Sequence, residues 1–311
     1  LNSPQKYEAP GNVIYGFINE SNVSGLLVAS GTLCRFSTHD SMVEFFHRFR
    51  PLPVLSISQN FEEVPSLIVD NSDGLRRLIF HLVKDHGYKK IAFIKGTEGN
   101  QDAAERYATY INALRECGIE PDPALEADGH FIPAGGREAV RILLDERKMT
   151  PDAIVTANDD MAYGAIDELQ TRGILIPREM AVAGFDDQIL GAVMTPSLTT
   201  VRQPVYETGF RAVELMVSHI NGDRIDRLTV MPTTPVLRES CGCNSGILSR
   251  SGGGSRTYDP VKNVVTETTE MIRSKILSLA QPLCSVEGIH IHMDDVEEVL
   301  DQRLAAGDEA T

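Results

Sequence analysis

From residue 71 onward, apolar side chains alternate between helical spacing and short unbroken runs. Between positions 75 and 83 they recur every three or four residues, which predicts a helix that Gly87 ends. The run 91–94 is apolar throughout, as in a strand buried on both faces of a sheet. Further helices are predicted near 107–114, 139–144 and 161–169, and further strands over 153–157 and 180–185. This alternation is typical of an α/β fold with parallel sheets flanked by helices.

The first seventy residues follow the same pattern more briefly. Strands are predicted over 26–29 and 54–57, and helices near 12–18 and 41–49. Because an open sheet usually has about four to six strands, two strands are too few for this part of the chain. We therefore expect it to take strands from elsewhere or to lack its beginning. A chain that starts at Leu1 rather than at a methionine favours a fragment.

The character of the chain changes after Ser240. Residues 244–259 contain Ser-Gly-Gly-Gly-Ser at 251–255 and are predicted to be a flexible linker. Residues 260–311 are predicted to form a helical extension. Four- and three-residue steps alternate along Val261, Val265, Thr268, Ile272 and Leu279, apart from Lys275. This spacing is typical of a helix-pairing seam, or of a helix that packs back on the main body.

The formal charge of −15 argues against nucleic-acid contact by this segment, since a phosphate backbone needs a surface rich in lysine and arginine. No apolar run approaches the roughly 20 residues of a membrane span, and no leader-like stretch opens the chain. We therefore expect no contact with a membrane, and the reduced thiols expected from the cysteine pattern below indicate a cytoplasmic protein.

The five cysteines are few and odd in number, and their spacing shows no disulfide framework. Cys241 and Cys243 could supply two soft metal ligands or a redox pair. Two ligands do not complete a tetrahedral zinc site. We therefore expect reduced thiols, and neither a metal nor any other cofactor.

Polar residues follow the predicted strands at the points where the strands end. In an open parallel sheet, ligands bind outside these carboxyl ends. The candidates are Ser30, Ser58, Asn158, Asp160 and Asp186, together with Arg106 in the helix after the strand at 91–94. Hydroxyl, amide and carboxylate groups beside a guanidinium suit a ligand rich in hydroxyls, such as a sugar.

Several of these residues also have a purely structural interpretation. Asn158 or Asp160 is suited to cap the helix that follows, since a side-chain oxygen there accepts hydrogen bonds from unpaired amides. Asp186 and Asp187 could cap a helix at 187–193 in the same way. An isolated Arg106 on a helix would be a solvated surface charge.

Three motifs resemble the ligand-sensing domain of the lac-repressor and galactose-repressor (LacI/GalR) family. They are Asn-Asp-Asp-Met-Ala-Tyr-Gly-Ala at 158–165, Val-Ala-Gly-Phe-Asp-Asp at 182–187 and Pro-Ser-Leu-Thr-Thr-Val-Arg-Gln-Pro at 196–204. Their order and spacing match the family, and the resemblance covers residues 10–243. The ending Arg-Glu-Ser-Cys-Gly-Cys at 238–243 is similar to relatives that precede a histidine-kinase or diguanylate-cyclase output module.

The resemblance implies a two-lobed, periplasmic-binding-protein-like fold with an effector bound between the lobes. Lobe one would comprise residues 1–70 with 203–231, truncated at its start, and lobe two residues 71–202 with 232–243. The crossovers between the lobes would fall near Asp70, near 201–203 and near Pro232. The family's effector contacts fall on Arg106, Asn158, Asp186, Gln203 and Ser58, where some members carry an aspartate, and Ser30 matches by loop position.

These observations predict a small-molecule-sensing domain of a bacterial transcription or signalling regulator, without enzymatic activity. We expect a small polar effector such as a sugar, a homodimer, and a DNA-binding or enzymatic output module elsewhere in the intact protein. One alternative is a dimerisation or signalling scaffold that binds no ligand. A second is a metal-dependent hydrolase that uses Asp159, Asp160, Asp186 and Asp187.

Overall fold

The computed structural model describes residues 15–33 and 38–243. Its strands form two four-stranded parallel sheets and one two-stranded antiparallel ladder. In chain order, the strands are β1 (Leu26–Ala29), β2 (Val54–Ile57), β3 (Ser66–Val69), β4 (Ile91–Lys95), β5 (Glu126–Asp128), β6 (Ala153–Thr156), β7 (Ala181–Ala183), β8 (Thr200–Arg202), β9 (Leu228–Met231) and β10 (Thr234–Val236). The linker and helical extension predicted beyond residue 243 lie outside the described residues.

Helices alternate with these strands, so the predicted α/β fold with parallel sheets flanked by helices is confirmed. They are α1 (Ser30–Leu33), α2 (His39–Arg48), α3 (Asp73–Lys84), α4 (Gln101–Glu116), α5 (Pro133–Arg141), α6 (Asp159–Thr171), α7 (Ile189–Val193) and α8 (Val205–Ile220). A π-helical turn, Ile142–Glu146, continues α5, and 3-10 helices cover Pro123–Leu125 and Glu239–Cys241. The helix predicted near 12–18 lies partly outside the described residues, and residues 15–17 form a 3-10 turn. Gly87 and Gly118 have positive φ angles of 74° and 76°, as expected for glycines that end helices.

The first sheet has the strand order β1-β2-β3-β9 and corrects the expectation of only two strands. Strand β3 was missed because its apolar run is only three residues long and follows Pro65. Strand β9 comes from far along the chain and pairs in parallel with β3, with Ser66 opposite Leu228. Within the described ranges, β1 has β2 as its one strand neighbour.

The second sheet has the order β5-β4-β6-β7 and holds the larger hydrophobic core. Every residue of β6 is buried, as predicted for a strand covered on both faces. Phe93 on β4 stacks on Tyr110 of α4 at 4.7 Å between ring centroids, and the Tyr110 hydroxyl donates to the Ile91 carbonyl at 2.8 Å. Burial of each such side chain contributes about 1.5–3 kcal/mol.

The chain passes between the two sheets three times. It crosses between β3 and α3, between β8 and α8, and between β9 and β10. Strands β8 and β10 pair with each other and so tie two of these passages together, with Val201 opposite Pro235. The lobe boundaries derived from the resemblance stay a prediction. Within the described ranges, no helix has both the length and the apolar composition needed to cross a bilayer.

Candidate ligand-binding site

A cavity of about 340 Å³ opens beside the carboxyl ends of strands from both sheets. Its walls are formed by the chain segments that come directly after β1 and β2 of the first sheet and after β4 and β5 of the second sheet. The lining residues are Gly31, Thr32, Gln59, Thr97, Glu98, Gly99, Asn100 and Phe131. Small-molecule pockets typically measure about 300–1,000 Å³, so the space suits a small ligand. The carboxyl edge of the strands is predicted to hold the site, but none of the seven predicted effector contacts lines this cavity.

Thr97 places a buried hydroxyl at this cavity. Its Oγ1 has no hydrogen-bond partner among the described residues. Buried polar atoms nearly always have a partner, so an unpartnered hydroxyl beside a cavity is a candidate for a bond to a ligand or an ordered water. Thr97 lies in the loop after β4, but it is not among the predicted effector contacts. Nothing in the sequence of this loop distinguishes a buried hydroxyl from an exposed one.

Phe131 supplies an aromatic wall of the cavity. A Cβ atom added to Gly96 would lie 2.2 Å from Phe131 Cζ, so the ring packs directly on the backbone of the loop after β4. Phe131 and His130 have φ angles of 62° and 57°, in the left-handed region that is uncommon for residues other than glycine. Such backbone strain is frequent at functional sites. Phe131 is not among the predicted contacts because the strand before it, β5, has only three residues and leaves no clear pattern in the sequence.

Arg106 is buried, with 5% of its surface exposed, so its interpretation as a solvated charge is wrong. Its Nε donates to Asn71 Oδ1 and its Nη1 to the Ala157 carbonyl, both at 2.8 Å. The guanidinium lies 3.8 Å from the ring centroid of Phe185, a cation–π contact. Its Nη1 is also 3.8 Å from Asp186 Oδ1. Burial lowers the pKa of Arg106, and the nearby carboxylates oppose this shift.

Asp186 and Gln203 complete the group around Arg106. Gln203 Nε2 donates to Asp186 Oδ1 at 2.5 Å. Burial raises the pKa of Asp186, while Arg106 and the Gln203 hydrogen bond oppose the shift. Asp186 also has a φ angle of 130°, a strained conformation for a residue with a side chain. Three of the predicted site residues therefore meet at the carboxyl end of β7.

Asn158, rather than Asp160, caps α6. Its Oδ1 accepts a hydrogen bond from the Met161 amide at 3.0 Å, and its own backbone is extended. The side-chain Nδ2 of Asn158 also donates to the Phe131 carbonyl at 3.4 Å, so the residue that caps α6 contacts the cavity wall. Asp160 lies within the first helical turn, where its Oδ1 accepts from Gln188 Nε2 at 3.4 Å. The capping interpretation of Asp160 is wrong, because a helix capped by Asp160 would begin at Met161 and α6 begins two residues earlier, at Asp159.

The two predicted serines lie beside the cavity on the first sheet. Ser30 is fully buried, accepts from Ser56 Oγ at 2.8 Å and donates to the Val28 carbonyl at 3.3 Å. Its hydroxyl therefore bonds within the first sheet. Ser58 has a φ angle of 72°, and a Cβ added to Gly31 would lie 2.8 Å from Ser58 Cβ. This close approach joins the two loops that form one wall of the cavity.

Asp187 forms two ion pairs and caps no helix. Its carboxylate is 2.5 Å from Arg202 Nε and 2.6 Å from Arg238 Nη2. Helix α7 begins at Ile189, and its N-cap, Gln188, makes no side-chain capping bond. The capping role considered for Asp186 and Asp187 is therefore wrong.

The acidic residues proposed for a hydrolase are also engaged elsewhere. Asp159 is fully buried and accepts from Thr200 Oγ1 at 2.6 Å and from the Gln188 amide at 2.8 Å. Burial raises the pKa of Asp159 to about 6. Within the described ranges, the groups with metal-ligand spacing comprise one histidine–cysteine set and no set of carboxylates.

The described part of the chain has two parallel sheets flanked by helices, and the chain passes between them three times. A cavity lies at the carboxyl ends of the strands. These features define a class of ligand-binding proteins with two sheets. Residues 80–241 match the family described as a periplasmic binding protein-like domain. The match covers about half of the chain. The chain belongs to this periplasmic-binding-protein-like family, as the ligand-sensing domain of a LacI/GalR regulator.

Three similar proteins illustrate the relationship. Catabolite control protein A of Priestia megaterium is 29% identical over 241 residues, which cover 77% of this chain and 70% of that protein. The ribose operon repressor of Escherichia coli K12 is 32% identical over 221 residues, covering 71% and 65%. The solved complex of the transcriptional regulator CelR with cellobiose superposes with a TM-score of 0.64 at 28% identity, covering 73% of this chain and 68% of that chain. The chain thus spans 65–70% of the length of these two curated relatives.

Proposed function

We propose that this domain senses a small polar effector, such as a sugar, in the cavity between the loops of the two sheets. The observation that carries the proposal is the composition of the cavity walls, which come from both sheets and include the unpartnered hydroxyl of Thr97. A ligand that contacts both walls binds a closed arrangement better than an open one and so shifts the population toward closure.

The side chains around the cavity suit such an effector. Gln59, Glu98 and Asn100 offer donors and acceptors for hydroxyl groups, and Phe131 offers an apolar face. None of the seven predicted effector contacts lines the cavity, and their role in binding stays a prediction; Asn158 contacts the cavity wall through the Phe131 carbonyl. Gln203 lies in the chain passage between β8 and α8, so its bond to Asp186 would respond to a change in the relative position of the sheets.

The relatives favour a sugar and a role in transcription. CelR was solved with cellobiose, and the E. coli relative is a ribose operon repressor. We therefore propose that the intact protein is a cytoplasmic bacterial regulator without enzymatic activity in this domain. Its output module would lie outside the described residues.

We also propose a homodimer. Helix α8 buries one face against the first sheet through Leu215 and Met216. Its opposite face exposes Phe210, Val213 and Val217, whose exposed fractions are 61%, 52% and 51%. A helix that is apolar on two faces is typically covered on both, and a second copy of the chain would cover this one.

A thermal-shift screen tests the sensor proposal. Cellobiose, ribose, glucose and nucleosides are added to the full chain, and a true effector at a hundredfold excess over its Kd adds about 2.7 kcal/mol of stability. Thr97→Val should remove most of that shift. It should leave the ligand-free melting temperature unchanged or higher, because the unpartnered buried hydroxyl disappears.

Thr171→Val is the matched control, since that hydroxyl donates to the Asp167 carbonyl on the surface of α6. This variant should respond to the effector as the wild type does. If no compound shifts the wild type, the scaffold without ligand binding is favoured. A full shift in Thr97→Val would exclude Thr97 from the site.

A further inference from the structure

A second cluster of reactive side chains lies at the end of α3, and the proposed sensing function does not use it. His81 belongs to α3, His86 to the loop after α3, and Cys241 and Cys243 to the last described residues. One ligand atom from each of the four lies within 4.8 Å of all the others. The set combines two imidazoles and two thiols, the donors that zinc prefers in structural sites.

The distances within the cluster match a tetrahedral metal site. The two Nε2 atoms are 3.0 Å apart, and Cys243 Sγ is 3.2 Å from His81 Nε2 and 3.5 Å from His86 Nε2. Cys241 Sγ is 3.8 Å from His81 Nε2. Zinc bonds of about 2.0–2.1 Å to nitrogen and 2.3 Å to sulfur give tetrahedral edges of about 3.3 Å between nitrogens and 3.6 Å between nitrogen and sulfur. We propose that these four side chains bind one zinc ion.

Asp85 orients one of the proposed ligands. Its Oδ2 lies 2.7 Å from His81 Nδ1, one helical turn along α3. Histidines that bind zinc typically donate their second ring N–H to a carboxylate, which fixes the tautomer and turns the other nitrogen to the metal. Here the bond at Nδ1 leaves the Nε2 lone pair directed at the two sulfurs. This arrangement is independent of the effector cavity.

The backbone between the cysteines holds both sulfurs toward the histidines. Gly242 has a φ angle of 105°, and a Cβ added there would lie 3.1 Å from His86 Cε1. The Tyr88 hydroxyl donates to the Cys241 carbonyl at 3.0 Å, and its ring stacks on His86 with centroids 5.3 Å apart. The turn is therefore packed against the imidazole that it faces, as in a preformed site.

All four positions of this site come from the protein, which is the pattern of a structural rather than a catalytic zinc. Binding requires both thiols to lose their protons to solvent, and its free energy adds to the stability of the fold. The ion would fasten the end of the described chain, at Cys243, to helix α3.

The experiment measures metal content and metal binding of the full chain under reducing conditions. We expect one zinc per chain by elemental mass spectrometry, and a higher melting temperature for the zinc-loaded than for the chelator-treated protein. Addition of Co²⁺ to the chelator-treated protein should give the visible bands of tetrahedral cobalt and a thiolate-to-metal charge-transfer band.

Cys243→Ser should lose stoichiometric zinc and most of the charge-transfer intensity, while Cys117→Ser, outside the cluster, should match the wild type. If Cys243→Ser fails to fold, His86→Gln and the cobalt spectrum of the wild type provide the same test. A wild type that binds neither ion would overturn the proposal, as would a Cys241–Cys243 disulfide in freshly isolated protein or unchanged zinc in the folded variants.

Discussion

At the scale of single residues, Asp159 shows how burial sets the ionisation of a carboxyl group. It is fully enclosed at the start of α6, and its oxygens accept hydrogen bonds from Thr200 and the Gln188 amide. These bonds favour the charged form, but the loss of hydration outweighs them and raises the pKa to about 6. The folded state therefore holds this proton more tightly than the unfolded chain does.

This shift predicts a pH dependence of stability. Because the folded pKa of about 6 exceeds the ordinary 3.8, the stabilising contribution of Asp159 is present below about pH 4 and is lost as the pH rises through 6. The loss amounts to about 3 kcal/mol. Asp159→Asn removes the titrating carboxyl group and with it this pH dependence. The free energy of unfolding of the variant, minus that of the wild type, should therefore increase from pH 4 to pH 7. Urea denaturation at several pH values measures the difference; a constant difference would contradict the assignment.

The residues of the site divide into those that the sequence could predict and those that it could not. Arg106 is predicted from its place after the strand at 91–94, and Asp186 and Gln203 fall on motif positions; their role as effector contacts stays a prediction, and the structure brings the three together. Thr97 and Phe131 were missed, since a lone threonine and a phenylalanine after a three-residue strand carry no pattern. Their importance arises from burial and from contact with Gly96, which are properties of the packed molecule.

At the scale of elements, helices α5 and α6 approach each other through glycines. A Cβ on Gly164 of α6 would lie 1.9 Å from the Pro133 carbonyl oxygen, and one on Gly136 of α5 would lie 2.1 Å from the Met161 carbonyl oxygen. The obstacles are backbone atoms, which cannot swing aside as a side chain can. This close packing fixes the position of the two helices. It also fixes the loops before them, which contain Phe131 and Asn158.

Gly164→Ala should therefore destabilise the domain by about 2–3 kcal/mol, since the added methyl group overpacks a rigid contact. The matched control is Gly209→Ala on α8, where nothing lies within 4 Å of the added Cβ. That change should stabilise the domain by up to about 1 kcal/mol through helix propensity. Chemical denaturation of both variants provides the comparison, and equal effects would show that the contact between α5 and α6 adapts.

At the scale of the whole molecule, the exposed apolar face of α8 determines the expected assembly. The same helix covers the first sheet with its other face, so a second chain would dock close to that sheet. Strand β1 ends the sheet within the described ranges, and Leu27 on it is 42% exposed. The exposed face of α8 and Leu27 on β1 therefore both present apolar surface beside the first sheet.

Phe210→Glu should convert the dimer into a monomer, because the charge would be buried in the interface without a partner. Sedimentation equilibrium over a range of protein concentrations measures the effect. Leu175→Glu is the control, since this residue is 53% exposed near the end of α6 and lies outside the proposed interface. A wild type that is monomeric at high concentration would contradict the proposal, and so would a dimer that survives Phe210→Glu.

The sequence by itself determined the parallel α/β organisation, the helix end at Gly87, and the strand ends at which the candidate site residues lie. These are local properties, because each element must bury one face and so imposes its own period on the chain. Tertiary structure decided which distant elements meet. It added β3 and β9 to the first sheet and set His81 beside Cys243, 162 positions later. No local pattern encodes such distances, since they depend on how all the elements pack at once.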